Sequence, residues 1–165
     1  MIGDDNRPGD IAAIAAVIHR YSQAMDYRDW ALMDDVFLPD AEIAMGEVRF
    51  FGRAAGVEAI RACIECCSVT HHMNSNIVAA FDGDTAVVRN QFRAWHRGIG
   101  AKADQVFEGM GSYADRFVKT PVGWRIALRE EQCPVSIGAT DLFADAAPVW
   151  QRLTGGNANP AVNLI

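Results

Sequence analysis

Apolar residues recur at helical spacing near the start of the chain and at every second position through its later half. Ile11, Ile14, Ile18, Tyr21 and Met25 fall on one stripe, which predicts an amphipathic helix over residues 10–26 with Asp10 at its N-cap. Asp29, ahead of Trp30-Ala31-Leu32-Met33, reads as the cap of a short second helix that stops near Phe37, just before Pro39. Residues 41–48 alternate as a strand does. Gly52 then opens a turn into a third helix over 53–67, with Val57, Ile60, Ile64 and Cys67 on its buried face.

After His72 the period becomes two and stays there. Strands are expected over 76–81, 85–97, 106–119 and 124–132, with hairpin turns at Asp82-Gly83-Asp84 and Pro121-Val122-Gly123. Gly109 and Gly111 lie inside the third of these strands, where they mark a bend or bulge rather than a phosphate-binding loop. Three helices ahead of a long meander define an α+β fold with the helices on one face of the sheet. Strands this long curl, so the expected shape is an α+β cone with an open end that can hold a ligand. Beyond Gln132 the period fades into a weak helical stretch over 141–153 and a flexible segment over 155–160. We therefore expect one domain over 1–138 and a C-terminal extension over 139–165, packed on that domain or on a partner subunit.

Composition narrows the partners. The 165 residues are half hydrophobic and carry a net charge of −6, which suits a compact globular domain and not a nucleic-acid backbone. Arg89, Arg93 and Arg97 read as a solvated or subunit-facing strand surface. No apolar run is long enough for a membrane span, and the start is acidic where a secretory signal would be basic, so a cytoplasmic location is expected. Cys63, Cys66 and Cys67, placed on one helix, and the distant Cys133 have no zinc-site spacing and read as buried, reduced thiols. No metal is expected.

The candidate chemistry lies in Tyr21, Asp26 and the pair His71-His72. An Asp, a His and a Tyr brought together form a proton-transfer set; Asp26 on its own could equally cap a turn by bonding local amides. Adjacent residues on a strand point to opposite faces, so only one histidine can face inward. Met25, Phe92 and Met110 either line a cavity or fill it. Arg125 and Arg129 are read on one face of the last strand, opposite Trp124, Ile126 and Leu128, and Arg129 is either a ligand contact or one end of a salt bridge.

The segments Tyr21-x4-Asp26-x2-Asp29-Trp30, Phe37-x-x-Asp40-Ala41, Gly52-Arg53, His72-x3-Asn76, Gly83-Asp84-x-Ala86 and Gly123-Trp124-Arg125-Ile126 together resemble the SnoaL-like branch of the nuclear transport factor 2-like (NTF2-like) superfamily. The resemblance implies the same α+β cone, commonly dimeric through its outer sheet face. The site is most similar to those of the bile acid dehydratases, scytalone dehydratases and hexachlorocyclohexane dehydrochlorinases, which are cofactor-free lyases. By that resemblance Asp26 and His72 form the acid–base dyad and Tyr21 is the donor to a substrate oxygen. His96 corresponds to a second histidine if its strand phase turns it inward. The spacing to Asn76 selects His72 over His71.

The expected activity is a cofactor-independent elimination or isomerisation of a small hydrophobic, cyclic molecule: a steroid, an aromatic or a polyketide-like compound. The expected catalytic residues are Asp26, His72, Tyr21 and His96, and the expected substrate contacts are Met25, Asn76, Phe92, Met110 and Arg129. The expected partners are that small molecule and further copies of the chain, as a homodimer or larger homo-oligomer, with no nucleic acid, membrane or organic cofactor. The alternatives are a ligand-binding or accessory protein with the same fold, and a scaffold subunit of a larger oxygenase.

Overall fold

The computed structural model describes residues 7–156 and 158–163. Helix α1 spans Pro8–Asp26, followed by a 3-10 turn at Trp30–Asp35, strands β1 (Phe37–Met45) and β2 (Val48–Phe51), and helix α2 (Arg53–Ile64). A meander of four long strands comes next: β3 (Cys67–Asp82), β4 (Thr85–Gly98), β5 (Val106–Thr120) and β6 (Gly123–Gly138). The described chain ends in a 3-10 segment, Thr140–Ala146, and helices α3 (Ala147–Thr154) and α4 (Pro160–Asn163).

The six strands form one sheet in the order β2-β1-β6-β5-β4-β3. The β1–β6 pairing is parallel and every other pairing is antiparallel, so the sheet is mixed and open at its β2 and β3 edges. The α+β cone is therefore what the chain builds, with more helical segments than the three expected.

Physical reasons account for the shifted boundaries. Pro8 starts α1 two residues early because a proline loses nothing at the first helical position. Asp10, one turn inside, caps nothing; its carboxylate accepts the Trp124 indole N–H and pairs with Lys119, both at 2.9 Å. Asp29 precedes the 3-10 turn but makes no side-chain capping bond.

Helix α2 stops at Ile64, and Cys67 is already the first residue of β3. The histidine pair thus lies well inside a strand, and of the three clustered cysteines only Cys63 is helical. All four cysteines are free, and burial pushes each thiol up, Cys133 to about 11 and Cys67 to about 12.

The interior is packed from both sides. Ile14, Val17, Ile18, Tyr21 and Met25 of α1 meet the inner sheet face, where Ile43, Phe92, Tyr113, Phe117 and Ile126 are buried. Trp150 of α3 is fully buried; its indole donates to the Ala59 carbonyl at 3.0 Å and its ring meets Phe50 edge-on. Phe143 reaches the cone itself, its ring 5.2 Å from that of His96. The C-terminal extension expected over 139–165 falls partly on residues 164–165, outside the described chain. No helix among the described residues is long and apolar enough to cross a membrane.

Four register shifts bend the meander. At Gly111 a side chain is impossible, because a Cβ there would lie 1.9 Å from the Gln132 carbonyl oxygen. Each bulge also reverses which residues face inward from that point on.

Candidate active site

Asp26 is the last residue of α1, an unfavourable place for a carboxylate because the helix dipole is negative there. Its oxygens are fully engaged. Oδ1 lies 2.6 Å from His72 Nδ1 and accepts the Thr70 hydroxyl at 2.9 Å, while Oδ2 accepts the His72 backbone N–H at 3.0 Å. Burial pushes the Asp26 carboxyl up, but the hydrogen bonds and charge of His72, together with Thr70, outweigh it and hold the group below the ordinary carboxylate range.

Arg28 builds the support beneath. It takes a left-handed conformation, φ 55°, just past the helix end, where a glycine is usual. Its guanidinium folds back to donate to the carbonyls of Met25, Asp26, Ile64 and Cys67 and to the Thr70 hydroxyl. One side chain so ties the ends of α1 and α2 to the start of β3. Sequence reasoning missed it, since nothing in Tyr27-Arg28-Asp29 marks a left-handed arginine.

With Nδ1 held by Asp26, the imidazole turns its Nε2 edge away from the carboxylate. His72 lines a cavity together with Tyr21, Met25, Phe92, His96 and Glu131, with about 540 Å³ of empty space, its mouth included. The inner-face row that holds His72 continues through Ala94 of β4 and Gly109 of β5, two of the smallest side chains available, and this leaves the room.

His96 faces inward, its ring 5.1 Å from that of His72 and edge-on to it. Burial, with His72 beside it, pushes its imidazole down to about 3, and its Nδ1 has no partner among the described residues. It is thus a neutral ring with a free nitrogen. Tyr21 is buried edge-on to Phe37 and Tyr113, and burial raises its phenol, so it can donate a hydrogen bond but will not ionise. Phe92 stacks on Tyr113, with ring centres 4.6 Å apart.

Three expected contacts are placed elsewhere. Asn76 sits at the register shift of β3 with φ 54°, exposed and bonded to Gln91; the inward asparagine is Asn74, which donates to Ser22 at 2.6 Å. Met110 pairs across the sheet with exposed Arg93 and does not line this cavity, but it borders a more open hollow that His72 and Phe92 also line.

Arg129 is fully buried, but as a structural ion pair: its Nε and Nη2 donate to the two Asp115 oxygens at 2.8 and 2.7 Å. The guanidinium also lies 4.2 Å from the Tyr21 ring centre and 4.1 Å from that of Tyr113. It does not share a face with Arg125, because β6 slips by one residue between Ile126 and Leu128. Leu128 then turns outward, and Arg129, Glu131 and Cys133 turn inward.

His71 is exposed, opposite Trp95 on the outer face. No group of three or more His, Cys, Asp or Glu side chains among the described residues is gathered as a metal site.

An open α+β cone with a His–Asp pair in an apolar cavity defines a class of small pocket proteins. Within that class the chain belongs to the SnoaL-like domain family, which its residues 7–130 match. The uncharacterized protein Rv2910c of Mycobacterium tuberculosis is 34% identical over 126 residues, 74% of this chain and 84% of that protein. A proposed scytalone dehydratase of Novosphingobium aromaticivorans superposes with a TM-score of 0.73 at 25% identity, covering 81% of this chain and 89% of that one. An NTF2-like superfamily protein of Salmonella enterica superposes with a TM-score of 0.69 at 17% identity, covering 78% and 93%.

Proposed function

We propose that this protein is a cofactor-independent lyase, with isomerisation as the variant outcome, acting on a small hydrophobic cyclic substrate. The observation that carries the reading is the 2.6 Å contact of His72 Nδ1 with Asp26 Oδ1 beside an apolar cavity. Asp26 fixes the tautomer and stabilises the imidazolium, leaving Nε2 to take a proton from a carbon next to an electron-withdrawing group. Tyr21 donates to the substrate oxygen, and His96 offers a neutral nitrogen beside the base. The likeness to a proposed scytalone dehydratase supports a dehydratase-type elimination.

A homo-oligomer built on the outer sheet face, where Met73, Val135 and Ile137 are exposed, goes with this reading.

The test is turnover of an identified substrate by His72→Ala and Asp26→Asn. Each should lower kcat/KM by about 10²- to 10⁴-fold with the fold intact. Unchanged turnover in His72→Ala would sink the mechanism and leave a binding role.

A further inference from the structure

The cavity has a second wall that the dyad does not use. Glu131, brought inward by the slip in β6, pairs with buried Tyr113 on β5 and buried Met45 on β1. Strands β5 and β4 separate it from β3, so Glu131 and His72 enter the same cavity from different sides of the curved sheet. Its carboxylate makes no hydrogen bond to any described residue.

The groups around it are Tyr21 from α1, Cys63 from α2, Tyr113 from β5, Arg129 and Cys133 on its own strand, and the two cavity histidines. Arg129 is the cation among them, and Asp115 already holds it through two hydrogen bonds. A carboxyl half-buried at the wall of an apolar cavity and without a hydrogen-bond partner is disfavoured in its ionised form, which makes it a candidate for chemistry rather than for structure. Burial pushes Glu131 up to about 7 against the pull of Arg129, so near neutral pH a sizeable share of it carries a proton it can give away.

We infer that Glu131 is the acid of this site, protonating the departing hydroxyl of a cyclic β-hydroxy carbonyl compound held between it and His72. The inference rests on the lyase reading and deepens it. His72 Nε2 removes the proton from the carbon beside the carbonyl, and the C–H electron pair becomes the new C=C bond. The C–O bond breaks with its electron pair on oxygen, which takes the Glu131 proton and leaves as water. Glu131 is then a carboxylate and His72 an imidazolium stabilised by Asp26. Transfer of that proton back to Glu131 through water restores both, and the net change is substrate to alkene plus water.

The experiment compares two probes, 3-hydroxycyclohexanone and 3-(4-nitrophenoxy)cyclohexanone; only the first has a leaving group that needs a proton. Glu131→Gln should lose about 100-fold or more in kcat/KM on the hydroxy probe yet stay within a few-fold of wild type on the nitrophenoxy probe. Glu131→Leu, which leaves no polar group to satisfy, is the second variant and should behave alike. For wild type, kcat/KM on the hydroxy probe should also fall as pH rises through about 7, a limb absent from Glu131→Gln.

Equal losses on both probes would make Glu131 merely structural. Full activity of both Glu131 variants beside an inactive His72→Ala would overturn the acid assignment alone. Full activity of His72→Ala overturns the lyase reading itself, and failure of wild type to convert either probe overturns the substrate class.

Discussion

The Arg28 guanidinium donates to the Thr70 hydroxyl 3.1 Å away, and that hydroxyl donates in turn to Asp26. An exposed-looking arginine in a loop thereby holds the carboxylate that orients His72. Arg28→Ala should cost about 2 kcal/mol through lost bonds to carbonyls at two helix ends, which lowers Tm by roughly 4–8 °C in a domain of this size. Arg28→Lys should not restore it, because an ammonium lacks the planar fork that reaches several acceptors at once. A thermal melt checks the stability, and a fall in kcat with KM little changed checks the positioning.

His96 makes stability depend on pH. Its imidazole is pushed down to about 3 in the fold, while an unfolded histidine takes up its proton near 6.5, so acid favours the unfolded chain progressively below that value. The cost grows to about 2 kcal/mol by pH 5. Glu131 works the other way: with a folded value of about 7 and an ordinary one of 4.5, its contribution is fully present below 4.5 and lost as pH rises through 7. His96→Phe, set against Phe107 and Phe143, should therefore gain stability relative to wild type on going from pH 7.5 to 5. Denaturant midpoints at the two pH values decide it. A constant difference would show that the ring takes up its proton at the same pH in the fold as in the unfolded chain.

The Arg129–Asp115 pair is buried on both sides and clasped between two tyrosine rings. Removing one partner strands the other charge, so Arg129→Met or Asp115→Leu should each cost about 3–5 kcal/mol, whereas the double variant should recover most of the loss. Urea unfolding of the three proteins measures this. If the double variant is as unstable as the sum of the singles, the pair is not acting as a unit.

Much of the cone is legible along the chain. The stripe of Ile14, Ile18, Tyr21 and Met25 faces the sheet, the Gly83 turn joins β3 to β4, and the long alternating segments pair in order. These features follow from local periodicity and turn chemistry, which neighbouring residues determine among themselves. The dyad was legible only through likeness to a family, because nothing local says that the end of α1 meets the middle of β3.

The inward or outward phase of the strands escaped the sequence. A bulge costs one residue and leaves no compositional mark, yet it reverses every side chain beyond it. The shift in β3 moved Asn76 to the surface, and the slip in β6 withdrew Arg129 into an ion pair and turned Glu131 toward the cavity.

The sequence by itself determined the helices, the meander and the presence of Tyr21, Asp26 and His72, since spacing and residue type suffice for these. The tertiary structure alone decided which charged residues share a buried space, because burial and partnership depend on strands far apart in the chain. Asp26 gained a histidine that holds its carboxyl below the ordinary range, Arg129 gained Asp115 and stays charged, and Glu131 gained neither, so that burial pushes its carboxyl up to about 7.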